Sequence, residues 1–260
     1  MPRSARKGSA TGYYHVVLRG INREHIFRAD VDKLLFLDLV SEQQTEGRLQ
    51  LVCWCLMSNH AHLIIRADVG AMSMAIKLIS QKYSAHHNRR QKRVGPAFGG
   101  RFGSENIEDD RYLLGALRYI HMNPVKAGLV GDPAAYKWSS FGEYLGRASF
   151  IDPAQKAFVL SLVSGEARDF VALHRQKDEI GYLETREEVL ANKERSAVAL
   201  MDKFCQEKGV AKAREVYARP ELFAEICHKL VNEAKLPLRK AAELLGTTHN
   251  KVYLALQDDS

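Results

Sequence analysis

Apolar positions along this chain change rhythm twice. Tyr13 to Arg19 (YYHVVLR) is short and rich in aromatic and β-branched residues, which predicts a strand behind a basic lead. Asp30 to Gln44 then carries Leu34, Leu35, Leu37, Leu39 and Val40 at helical spacing. Leu49 to Met57 and Ala61 to Arg66 read as two strands joined by a turn at Ser58-Asn59, Ala71 to Asn88 as a second helix, and Ser104 to Glu108 as a fourth strand. Gln91 to Gly103 holds too many glycines, together with Pro96, to stay helical.

Strand, helix, strand, strand, helix, strand is the split βαβ plan, so the expected fold class is α+β: a ferredoxin-like (RRM-like) antiparallel sheet with helices on one face. Asp110 to Met122 predicts one more helix, stopped by Pro124. The domain edge is placed near Gly146 to Asp152, giving a domain of residues 1–148 and a region of residues 149–260. Past Ala154 the spacing is helical throughout, so this second region is expected to be all-α, with the charged stretch Glu166 to Arg195 as a linker helix.

Composition narrows the function classes. A chain of 260 residues, 46% apolar, can bury one substantial core and a smaller second one. The net charge of +7 favours a polyanionic partner, nucleic acid first. That excess sits in the front part: up to Ala148 there are about 21 Lys+Arg against 13 Asp+Glu, and afterwards the two balance. Cys53, Cys55, Cys205 and Cys227 form no CxxC pair, which points to a reducing compartment and no structural zinc. No apolar run follows the basic start and none is long enough to span a membrane, so a cytoplasmic protein is expected.

Candidate chemistry centres on two segments. In Met57 to Ile65 (MSNHAHLII), His60 and His62 stand at i and i+2 of a strand, which sends both imidazoles to one face and Ala61, Leu63 and Ile65 to the other. Such a pair can grip a divalent cation, or can simply be hydrogen-bonded on a sheet surface. In Arg111 to Asn123, a 100° wheel puts Leu113, Leu114, Leu117 and Ile120 on a core stripe and Tyr112, Ala116, Tyr119 and Asn123 on the opposite one. A phenol beside a metal can attack a phosphodiester, and a helix tyrosine can equally be a packing residue. Tyr83, also on a helix beside basic residues, is the rival nucleophile.

Together the motifs resemble a known family. MPR at the start, YHVVLRG from Tyr14, MSNHAHLI from Met57, GP…GRF from Gly95, RYIHMNPVKAGLV from Arg118 and YKWSSFGEY from Tyr136 are similar to the REP-associated tyrosine transposases, a branch of the single-tyrosine HUH transposases. The resemblance implies His60 and His62 as metal ligands, Asn123 completing the metal shell, Tyr119 as nucleophile, and Mg²⁺ or Mn²⁺ as cofactor. It also implies nicking and rejoining of single-stranded or hairpin DNA, REP-like palindromes, through a 5′-phosphotyrosine, often by a homodimer. One departure is Phe98-Gly99, where the family has Trp-Gln.

Positive charge mixed with aromatic rings suits a single strand, by phosphate neutralisation and base stacking, although a solvated charged loop has the same composition. The candidate DNA contacts are Arg3, Arg6, Arg19, Arg89, Arg90, Lys92, Arg93, Phe98, Arg101, Phe102 and Lys126. Near the C-terminus, Ala242, Gly246 and Val252 keep the spacing of a helix-turn-helix, with residues 220–257 as the unit. Thr248, His249, Asn250 and Lys251 would then meet duplex DNA. The competing reading is a domesticated DNA-binding regulator that uses this tail without cleavage; a third is a small metal hydrolase.

Overall fold

A computed structural model describes residues 6–176, 182–183, 186–210, 216 and 219–257, in two compact units, residues 1–183 and 184–260. Arg3 lies outside the described residues. The first unit runs β1 (Tyr13–Arg19), α1 (Asp30–Thr45), β2 (Gln50–Leu56), β3 (His60–Arg66), α2 (Val69–Gln91), β4 (Gly103–Ile107) and α3 (Asp110–Lys126). Three shorter helices follow: α4 (Phe141–Tyr144), α5 (Pro153–Leu162) and α6 (Ala167–Leu173). The four strands form one antiparallel sheet in the order β2-β3-β1-β4, a mixed α+β architecture.

Strand alternation sorts the two faces. Tyr14, Val16 and Leu18 share one with Ala61, Leu63 and Ile65, whereas His15 and Val17 share the other with His62 and Ile64, and all of these are buried. Burial on both sides means that both faces are covered, unlike the one-sided arrangement read from the sequence. α1 and α2 pack against each other, and α1 against β2. α3 packs across β2, β3 and β4 with Tyr119 against the histidine face.

Two further differences have local causes. Pro124 lies inside α3 instead of stopping it at Met122. A proline forfeits its own N–H bond and crowds the carbonyl four residues back, yet in this last turn the ladder resumes beyond it, with the Ala127 N–H on the Asn123 carbonyl at 2.9 Å. The unit boundary also falls after Leu183, not near Gly146 to Asp152, because Ile151, Val159 and Phe170 are buried in the first core.

The segment Tyr136 to Tyr144 covers the open edge of β2. Leu56 N–H bonds the Trp138 carbonyl and Ser140 N–H the Trp54 carbonyl, both at 2.9 Å. The Tyr136 and Tyr144 hydroxyls donate to the carbonyls of Leu56 and Val52. An edge strand otherwise exposes a row of unpaired backbone groups, and this segment satisfies them.

The second unit is helical: α7 (Arg186–Lys208), α8 (Pro220–His228), α9 (Leu238–Leu245) and α10 (His249–Ala255). Phe204, Ile226, Leu230, Leu245 and Val252 fill its own core. α9 ends at Gly246, whose φ of 69° is the left-handed cap that glycine adopts without strain. No described helix is long and apolar enough to cross a membrane.

Candidate active site

The central strands present three imidazoles to one face. His60 opens β3 opposite Arg19, and His62 lies opposite Val17 and Cys55. Their rings sit 4.9 Å apart, nearly perpendicular. His15 pairs with Ile64, which makes it the diagonal neighbour of His62 on the same face. His15 Nε2 stands 2.9 Å from His62 Nδ1, and Asn59 Oδ1 stands 2.7 Å from His60 Nδ1. Sequence reading singled out neither His15 nor Asn59. The alternation of YYHVVLR, combined with antiparallel pairing of the first and third strands, carries the signal for His15.

Tyr119 projects from α3 onto this cluster. Its ring centroid is 5.9 Å from that of His62 and 6.2 Å from that of His15, both edge-on. The Lys126 ammonium lies 4.3 Å from the Tyr119 ring centroid, a cation–π arrangement. Asp109 anchors the helix, its carboxylate accepting from the Tyr112 N–H at 2.7 Å. Asn123 follows Tyr119 by one turn and shares its side of the helix.

The stripe holding Tyr119 and Asn123 is buried, although sequence reading left it outside the core. α3 has a partner on every side. The sheet lies beneath it, and His121 reaches Phe170 and His174 of the α6 segment. Tyr182 stacks near both Tyr119, at 5.4 Å, and Tyr112, at 5.3 Å. Gly115 makes room for Tyr182: a Cβ there would come within 1.9 Å of its hydroxyl oxygen. Tyr182 was likewise absent from the sequence reading, because nothing local ties it to a helix so far upstream.

Tyr83 is a core residue. It is wholly buried among Phe27, Phe36 and Phe98, and its hydroxyl donates to the Ile26 carbonyl at 2.6 Å. Burial pushes its phenol well up.

The basic and aromatic candidates differ in burial and in what they touch. Phe98 packs into the same aromatic cluster and offers no ring to a base, which corrects its assignment as a DNA contact. Arg6 lies over the Phe102 ring at 3.7 Å and donates to the Phe102 carbonyl and Ser104 Oγ, so these two side chains tie the N-terminal segment to β4. Arg90 pairs with Asp32 and Arg93 with Glu24. Arg89, Lys92, Arg101 and Lys126 are exposed, and Arg19 is half-buried.

The loop carrying several of them is pinned beside the histidines. Ile21 N–H bonds the Ala97 carbonyl at 3.0 Å, Gly99 N–H bonds that of Arg19 at 2.8 Å, and Gly20 N–H bonds that of Asn59 at 2.8 Å. In the second unit, Thr248 caps α10 by accepting from the Lys251 N–H, and Thr248, His249, Asn250 and Lys251 are all exposed.

The donor chemistry fits one divalent cation. An imidazole whose Nδ1 is held by a neighbour is oriented to ligate through Nε2, and both His60 and His62 have such a neighbour. Among the described residues no group of three or more His, Cys, Asp or Glu side chains is arranged around a metal position, so the histidine pair would need ligands of another kind.

Residues 9–123 match the model of a family described as IS200-like transposases. A Haemophilus influenzae protein named as a REP-associated tyrosine transposase is 28% identical over 103 residues. That match covers 35% of this chain and 58% of the relative, so the chain spans little more than half of its length. Among solved structures, a REP-associated tyrosine transposase bound to a REP hairpin is 16% identical with a TM-score of 0.48, covering 58% of this chain and 91% of that one. A Deinococcus radiodurans protein described as a transposase is 17% identical with a TM-score of 0.33, covering 46% and 95%.

Proposed function

We propose, starting from the match of residues 9–123 to the IS200-like transposase family model, that this chain nicks and rejoins single-stranded or hairpin DNA through a covalent phosphotyrosine on Tyr119. The observation that carries this reading is the Tyr119 ring 5.9 Å from that of His62, a phenol from α3 meeting the paired imidazoles of β3. The βαββαβ order and the strand order β2-β3-β1-β4 support a ferredoxin-like platform beneath it.

In this mechanism the Tyr119 oxygen attacks the scissile phosphorus, a P–O bond to tyrosine forms, the bond to the 3′-oxygen breaks, and the phenolic proton passes through solvent to that oxygen. Attack of a 3′-hydroxyl on the phosphotyrosine reverses the exchange and reseals the strand. His60 and His62, with Asn123, would hold Mg²⁺ or Mn²⁺, which neutralises a non-bridging phosphate oxygen and orients the phosphate for in-line attack. Lys126, Arg19 and the exposed Arg89, Lys92 and Arg101 supply the positive border along which a single strand lies.

The test is incubation with a labelled single-stranded hairpin and Mn²⁺, followed by denaturing electrophoresis. A protein–DNA adduct is expected from the native chain and from Tyr83→Phe, and none from Tyr119→Phe. An adduct that persists in Tyr119→Phe sinks the assignment.

A second reading, a DNA-binding regulator, is favoured by the exposed Thr248, His249, Asn250 and Lys251 on α10, with Ala242 and Val252 buried at helix-turn-helix spacing. It requires tight duplex binding that Lys251→Ala weakens, with no metal-dependent nicking.

A further inference from the structure

We infer that His15 is a positioning residue that sets which nitrogen of His62 carries the proton, and thereby whether His62 is able to bind a metal ion. The inference rests on the reading of His60 and His62 as ligands. It concerns a residue outside the proposed ligand set of His60, His62 and Asn123.

The two histidines have partners of different kinds. Asn59 Oδ1, an amide oxygen, can only accept, so at 2.7 Å it requires a proton on His60 Nδ1 and leaves the Nε2 lone pair for coordination. His62 Nδ1 instead faces His15 Nε2 at 2.9 Å, a nitrogen that can donate or accept.

Two neutral arrangements follow. In one, His62 carries its proton on Nδ1 and donates it to His15 Nε2, while His15 keeps its own proton on Nδ1; the His62 Nε2 lone pair then points away from the bond and can ligate. In the other, His15 Nε2–H donates to His62 Nδ1, the His62 proton sits on Nε2, and coordination there is closed. Total charge is the same in both, so the difference is one of tautomer: His15 acting as acceptor holds His62 in the first, the form open to a cation.

The placement of His15 suits this role. It is fully buried on a central strand, hydrogen-bonded between its neighbours β3 and β4, and its ring also meets the Tyr119 ring edge-on at 6.2 Å. A buried hydrogen-bond partner on a ligand's second nitrogen is the arrangement that orients imidazoles at metal sites, and its loss typically lowers metal affinity by about 10–100-fold.

The experiment measures Mn²⁺ affinity of the full chain by electron paramagnetic resonance titration, without DNA, for the native protein and for His15→Phe, His15→Gln and His62→Ala. The His62 tautomer is read from long-range proton–nitrogen NMR correlations with Mg²⁺ bound. His15→Phe keeps the ring but not the acceptor, and should weaken Mn²⁺ by about 10–100-fold. Glutamine, whose amide oxygen accepts, should restore most of that loss, and the native His62 should carry its proton on Nδ1.

Native affinity in His15→Phe, while His62→Ala loses binding, would overturn the role of His15 and leave the metal site standing. Unchanged affinity in His62→Ala would instead remove the metal reading and this inference with it. If His15→Phe fails to fold, the His15→Gln affinity and the native tautomer decide: an Nε2 proton on Mg²⁺-bound His62 refutes the inference.

Discussion

Replacing Gly115 by alanine puts a methyl carbon 1.9 Å from the Tyr182 hydroxyl oxygen and 2.9 Å from its Cζ. Neither separation is tolerable, and α3 cannot retreat because its far side lies on the sheet. Tyr182 must leave. Expelling a buried tyrosine forfeits about 2 kcal/mol of apolar burial, and its contacts with Tyr112 and Tyr119 add about 0.5–1.5 kcal/mol each. Against this, alanine in a helix interior gains about 1 kcal/mol over glycine. The balance is a net loss of roughly 2–4 kcal/mol, which lowers Tm by several degrees in a unit of this size.

The same displacement uncovers Tyr119, which is only 4% exposed with Tyr182 in place. Tetranitromethane labelling followed by peptide mass spectrometry should find Tyr119 modified faster in Gly115→Ala and in Tyr182→Ala, while Tyr83, packed in the separate aromatic cluster, stays protected in both. On the proposed role of Tyr119, adduct formation with hairpin DNA should rise in both variants. A Tm that increases by the full alanine gain, with Tyr119 labelling unchanged, refutes the placement of Tyr182.

Two other perturbations test the fold around the site. Burial pushes His174 down to about 4 and His121, bonded to it at 2.9 Å, well below its ordinary value. Both folded values are depressed, so the unfolded chain takes up protons first, and the stability present above about pH 6.5 is lost as pH falls towards 4, by about 3 kcal/mol from His174. Urea midpoints should fall from pH 7 to pH 5 in the native protein and fall less in His174→Gln; an equal fall in both would exclude His174 as the cause. Gly20→Ala should cost about 1–3 kcal/mol by chemical denaturation, because its Cβ would meet the Glu24 carbonyl oxygen at 2.3 Å; a neutral substitution would show that the turn beside His60 is not as closely packed as described.

How much of this was legible in the sequence depended on whether a feature was local. The four strands, the histidine face of β3 and the first turns of α3 follow from alternation and spacing within a few residues, and each lies where the pattern puts it. Composition could not separate Phe98, which joins the core, from a ring offered to a base, since both need an aromatic residue in a glycine-rich loop. Arg6 and Phe102 were both read as DNA contacts for their side-chain types, yet the guanidinium lies on the ring. The motif Tyr136 to Tyr144 announced a family, but its physical task, closing the edge of β2, appears only once the strand order makes β2 an edge.

The two halves of the site are held in different ways, and this bears on how it works. His60, His62 and His15 stand on central strands hydrogen-bonded on both sides, so their spacing is fixed by the ladder. Tyr119 is set by α3, which Asp109 anchors at its start, and is covered from above by Tyr182, whose neighbour Leu183 bonds Glu105 through its N–H at 3.0 Å. Tyr182 belongs to no strand, so its displacement leaves the ladder untouched. The histidines are therefore the fixed part of this cluster, set by the sheet, and the Tyr119–Tyr182 contact is the part that does not depend on the ladder.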